Sequence, residues 1–97
     1  MRTEATYRAQ LCNRIKQRWP RCVILPTDPK RRQGICDILI LFDRCWAMLE
    51  IKRSSRAEHQ ANQDYYVELY GNMSFAAFIY PEIEDEVLDD LQATLGV

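Results

Sequence analysis

The chain has 97 residues, 47% of them apolar, with a formal charge of −1. That suits one compact domain over residues 1–97 with a modest core, and it argues against disorder. All thirteen Lys and Arg fall in residues 1–56 beside five acids, net +8, whereas residues 57–97 hold nine acids and no base.

So uneven a distribution predicts a basic face with an acidic element placed elsewhere. Cys12, Cys22, Cys36 and Cys45 form no CxxC pair and His59 has no cysteine near it, which argues against a zinc site. Cys36 and Cys22 read as small buried hydrophobes. The first ten residues have no apolar signal core and no run approaches transmembrane length, so a reducing cytoplasm is the expected setting.

Residues 3–18 read as a helix: Thr3 can cap it, Tyr7, Leu11 and Ile15 recur at four-residue spacing, and Pro20 ends it. Glu4 lies three and seven positions before Tyr7 and Leu11, so it heads the inward stripe. A first-turn glutamate is equally ordinary helix chemistry. Residues 21–26 form a first strand, followed by a polar connection over 27–33 with Asp28, Pro29 and the run Lys30-Arg31-Arg32. Residues 35–42 and 46–52 are strands two and three, and the short link between them predicts a hairpin. Strand two is apolar on both faces apart from Asp37, which predicts a central position.

Residues 56–70 read as a second helix, with His59, Gln63, Tyr66 and Tyr70 along one stripe and Gly71-Asn72 closing it. Residues 74–80 are a fourth strand. A final helix over 82–95 buries Ile83, Val87, Leu88, Leu91 and Leu95 and concentrates its acids in the first two turns, where they suit the dipole. The order is αβββαβα, with a parallel crossover between the third and fourth strands.

The chemistry gathers on strands two and three. Asp37 interrupts one apolar run; Glu50 and Lys52 interrupt the next, two positions apart. Alternate strand residues share a face, so Glu50 and Lys52 point one way and Ile51 the other. Charge inside a sheet is costly unless paired or metal-bound. Magnesium takes one or two carboxylates and completes its shell with other oxygens, here Asp37 and Glu50, with the Ile51 carbonyl and Glu4 as further candidates. The pattern reads as a metal-ion site for phosphodiester cleavage, with Lys52 orienting water or offsetting charge on phosphorus. A plain Glu50–Lys52 ion pair on an edge strand is the alternative, but it leaves Asp37 unexplained.

Gln63 can hold a water, Glu50 or a phosphate, or can be no more than a satisfied half-buried amide. Lys30, Arg31, Arg32, Arg44, Arg53 and Arg56 flank the site in sequence. With His59 they are the candidate contacts to a DNA backbone, which would position DNA without reading it. Each taken alone is also an ordinary solvated charge. Trp19 and Trp46 read as core or interface rather than base-stacking platforms.

Asp37 followed by Glu50-Ile51-Lys52 resembles the PD-(D/E)XK nuclease superfamily, and at this size the VRR-NUC and Holliday-junction-resolvase-like phage nucleases. In that resemblance Asp37 is the aspartate of the central hairpin and Glu50 and Lys52 are the E-x-K half. Glu4 stands for the helix-one glutamate of the resolvase-like branches, and Gln63 for a glutamine that several branches carry after the lysine. Cys36 replaces the family's proline, which shapes the strand and does no chemistry. The resemblance implies an α/β, restriction-endonuclease-like αβββαβ core with a mixed central sheet over residues 3–80 and an added C-terminal helix.

It also implies a Mg²⁺- or Mn²⁺-dependent endonuclease that hydrolyses DNA to leave 5′-phosphates, structure-specific for branched or junction DNA, or nicking. The expected setting is a bacterial or phage-infected cell, with no membrane and no small-molecule cofactor. Cutting both strands takes two sites, so a homodimer or larger ring is expected, with Tyr65, Tyr70, Trp19 and Phe75 as interface candidates. The alternatives are a nuclease subunit or nucleic-acid-binding domain whose specificity comes from partners, a scaffold that does not cut, and a purely structural domain.

Overall fold

The computed structural model describes residues 3–28 and 30–97, so Pro29 of the expected connection lies outside the described residues. Helix α1 (Glu4–Arg18) begins where the Thr3 hydroxyl accepts the Thr6 amide at 3.0 Å and ends at Trp19, before Pro20. Its stripe of Tyr7, Leu11 and Ile15 is fully buried, each such side chain contributing roughly 2 kcal/mol through removal from water.

Four strands form one mixed sheet in the order β1 (Val23–Pro26), β2 (Ile38–Leu41), β3 (Trp46–Ile51), β4 (Phe75–Ile79). The pairs β1/β2 and β2/β3 are antiparallel, and β3/β4 is parallel across helix α2 (Gln63–Met73). β2 is central, as its two apolar faces predict. A 3₁₀ turn at Pro81–Ile83 leads into α3 (Glu84–Leu95), which Gly96 closes in the left-handed conformation. Side chains alternate across the sheet. Ile38, Ile40, Ala47, Leu49, Ile51 and Ile79 pack against α1 and α3; Leu39, Trp46, Met48 and Ala76 pack against α2. None of the helices is long and apolar enough to cross a membrane among the described residues.

Four expectations need correction. Asp37 lies in a bend just before β2, and Lys52 just after β3, rather than within the strands. α2 starts at Gln63, not at 56. Residues 53–62 lack an apolar repeat, and Asn62 adopts φ 76°, which no helix can contain. The same helix continues through Gly71, which is not left-handed, to close at Ser74. Finally, Tyr70 and Trp19 are buried and Phe75 packs partly into the core, leaving Tyr65, 62% exposed, as the surface aromatic of the four interface candidates.

One acid of the last helix does more than suit its dipole. Glu84 is buried, accepts the Arg14 guanidinium at 2.6 and 2.7 Å and the Tyr7 hydroxyl at 2.9 Å, and so ties α3 to α1.

Candidate active site

The β2–β3 register pairs Ile38 with Leu49, so one step further toward the sheet's end sets Asp37 opposite Glu50. Both share the face of Leu39 and Met48, because side chains alternate. Asp37 is fixed from two sides. Thr27 donates its amide to the Asp37 carbonyl at 3.0 Å, and Asp37 Oδ2 accepts the Ile51 amide at 2.7 Å. Glu50, 6% exposed, is in hydrogen-bonding contact with Asp37. Burial pushes the Glu50 carboxyl up to about 8; the hydrogen bond and charge of Asp37 add to this, Lys52 opposes it and Glu4 adds again. The Cys36 thiol in the same cleft is pushed up to about 12, by burial first and then by Glu50 and Asp37. That thiol is an inert wall rather than a nucleophile.

Lys52 continues the β3/β4 ladder through its amide to the Ile79 carbonyl at 2.9 Å. Its ammonium is buried and donates to Gln63 Oε1 at 2.7 Å and to the Glu58 carbonyl at 3.2 Å. Gln63, the first residue of α2, donates from Nε2 to Glu50 Oε2 at 3.1 Å, and its Oε1 also accepts the Gln60 amide at 2.8 Å. One amide thus holds the lysine and the glutamate at a fixed separation. It does so from a helix start, not from the mid-helix stripe that the sequence suggests.

Glu4 borders the site. Its carboxylate is 47% exposed rather than inward, and it pairs with Arg8 at 3.6 Å. Arg8 in turn reaches Asp37 Oδ1 at 3.4 Å. Sequence reasoning missed Arg8, although its place four residues after Glu4 puts both on one face of α1.

Gln33, Gly34, Asp37, Glu50, Gln63 and Tyr66 are among the residues lining a cleft of about 280 Å³ over the carboxylates. Gly34, at φ 84°, lies so close to the Tyr66 ring that an added Cβ would fall 2.2 Å from it. A larger groove of about 750 Å³ lies at the opposite end of the sheet, by Trp19, Leu41, Phe42 and Val97, away from these ionisable groups.

The expected DNA contacts divide by position. Lys30, Arg31 and Arg32 are exposed in the connection that runs to the cleft wall at Gln33, and Arg32 Nε reaches the Tyr70 hydroxyl at 3.5 Å. Arg53 and Arg56 are exposed in the loop after Lys52, which Glu82 pins by accepting the Ser55 amide at 3.0 Å and hydroxyl at 2.8 Å. His59 stacks on Phe78 at 4.0 Å and pairs with Asp64 at 2.9 Å. Phe78 is the register partner of Glu50, so His59 lies close to the cleft. Arg44 does not belong with them. It occupies the β2–β3 hairpin at the far end of both strands, roughly 20 Å from Asp37 at about 3.3 Å of rise per residue.

The donor set suits a hard divalent cation. Two carboxylates in contact, one of them buried, repel each other unless a proton or a cation lies between them. Among the described residues no three His, Cys, Asp or Glu side chains converge to cage an ion. An ion held by Asp37 and Glu50 would therefore draw further ligands from backbone, water and phosphate oxygens, as magnesium commonly does.

No family model and no curated protein matches the chain. Its fold does match a solved structure described as a VRR_NUC domain. The TM-score is 0.62 at 15% identity, covering 84% of this chain and 92% of that one. The chain thus shares the fold of a VRR_NUC domain.

Proposed function

We propose that the chain is a divalent-metal-dependent nuclease that hydrolyses DNA phosphodiester bonds at Asp37, Glu50 and Lys52. The carrying observation is the apposition of Asp37 and Glu50 on neighbouring strands, with Lys52 on the same face, in a fold shared with a VRR_NUC domain. Asp37, Glu50 and the Ile51 carbonyl would hold Mg²⁺ or Mn²⁺, with Glu4 a further candidate at the rim. Such an ion, when bound, polarises the phosphoryl oxygen and makes its water a stronger nucleophile.

The chain's own groups do the rest. Asp37 is oriented by the Ile51 amide, so its carboxylate does not rotate away from Glu50. Lys52, held by Gln63 and the Glu58 carbonyl, offsets with its ammonium the charge that grows on the phosphoryl group. Gln63 keeps that ammonium and Glu50 in fixed relation. Lys30, Arg31 and Arg32, in the connection that leads to Gln33, and Arg53, Arg56 and His59, in the loop that leads to Gln63, would hold the phosphate backbone whatever its sequence. Contacts to backbone alone favour recognition by shape, hence branched or junction DNA. Two copies would place two such sites on the two strands of a duplex.

The test is cleavage of supercoiled, linear, flapped and four-way DNA with Mg²⁺ or with EDTA. The wild type cuts at least one substrate in Mg²⁺ and none in EDTA, and Lys52→Ala loses about a hundredfold or more. Equal activity in Lys52→Ala, or cutting in EDTA, would refute the assignment.

A further inference from the structure

Arg8 has no role in the mechanism above, yet it faces Asp37. Its Nη2 lies 3.4 Å from Asp37 Oδ1 and 3.6 Å from Glu4 Oε2. Both distances exceed the 2.7–2.9 Å typical of charge-assisted hydrogen bonds, so the two pairs are loose. Arg8 Nε is buried and has no hydrogen-bond partner among the described residues. One donor of the guanidinium fork is therefore unspent, and planar forks of this kind match phosphate oxygens two at a time.

The oxygen that Arg8 faces also matters. Oδ2 of Asp37 is committed to the Ile51 amide, so Oδ1 is the oxygen without a backbone bond. A divalent ion about 2.1 Å from Oδ1 would lie within about 5.5 Å of the Arg8 nitrogen, and two cations cannot share that oxygen without strong repulsion. The Arg8 side chain is 38% exposed and Glu4 offers it a second seat one helical turn away, so it has room to move.

We infer that Arg8 and a divalent ion compete for Asp37 Oδ1: Arg8 neutralises that oxygen, and when an ion takes it Arg8 turns its fork to a substrate phosphate. The inference rests on the metal-dependent reading above and assigns Arg8 two opposed effects. It weakens ion binding and strengthens DNA binding. A purely structural arginine would do neither in that combination.

The experiment is calorimetric titration of Mn²⁺ into the DNA-free protein, with KM measured for one cleaved DNA substrate, on wild type, Arg8→Gln and Arg8→Lys. Arg8→Gln should bind Mn²⁺ about threefold tighter, because a half-exposed competing ion pair is gone, while KM rises about tenfold. Arg8→Lys keeps the charge without the fork, so its Mn²⁺ affinity should stay within about twofold of wild type while KM still rises. If Arg8→Gln fails to fold, Arg8→Lys carries the test, and an unchanged KM in it overturns the inference. Unchanged or weaker Mn²⁺ binding by folded Arg8→Gln, with wild-type binding intact, overturns the inference alone. A wild type that binds no Mn²⁺ overturns the nuclease reading with it.

Discussion

Replacing Glu50 by glutamine removes a carboxyl from the buried end of β3 while keeping an oxygen to accept Gln63 Nε2. The ordinary value of 4.5 rises to about 8 in the folded protein. A carboxyl whose folded pKa is raised binds its proton more tightly when folded. Its stabilising contribution is therefore complete below the unfolded value of about 4.5 and is lost as pH climbs through about 8. At about 1.4 kcal/mol per unit, the ion-free wild type loses on the order of 3 kcal/mol between pH 4.5 and 7 from this one group. Glu50→Gln does not titrate. It should match the wild type near pH 4.5, exceed it by about 3 kcal/mol at pH 7, and hold a constant lead above pH 8.

Urea denaturation in EDTA across pH 4.5–9 measures this. Saturating Mn²⁺ should close the gap, because an ion that binds only the folded wild type stabilises it by mass action. A stability difference that stays flat from pH 4.5 to 8 would refute the buried, Asp37-opposed placement of Glu50.

Gln63→Ala should lower kcat about tenfold with KM unchanged, since it frees Lys52 and Glu50 to drift without touching DNA; steady-state kinetics on one substrate decide it. Gly34→Ala should destabilise the protein by about 1–2 kcal/mol, because alanine resists a φ of 84° and its Cβ would displace the Tyr66 ring. Equal thermal midpoints would contradict that. Arg53→Ala should weaken DNA binding evenly across sequences and reduce the salt slope by about 1. Arg44→Ala, at the other end of the sheet, should leave both unchanged, and binding isotherms at several salt concentrations test the pair.

The sheet was legible because its strands are written as apolar runs, and the α1 stripe because Tyr7, Leu11 and Ile15 sit at helical spacing. Asp37, Glu50 and Lys52 stood out by interrupting those runs, and strand periodicity alone was enough to put two of them on one face. The start of α2 was not legible. His59, Gln63, Tyr66 and Tyr70 mimic a helical stripe, and the break between them is a left-handed Asn62 that no Gly or Pro announces. Arg44 is near the site in sequence but not in space, because the antiparallel hairpin carries it to the other end of both strands. Glu84 depends on Arg14, seventy residues away, and no local pattern encodes such a pairing. Arg8 lies between these cases: its spacing from Glu4 was visible, but its reach to Asp37 depends on how α1 packs on the sheet.

Anomalous diffraction from a crystal soaked in Mn²⁺ tests the shared-ion site most directly. The expected result is a peak about 2.1–2.3 Å from one oxygen of Asp37 and one of Glu50, with Arg8 moved off Asp37. A saturating soak that leaves Asp37 and Glu50 hydrogen-bonded to each other, with manganese elsewhere or absent, would contradict it.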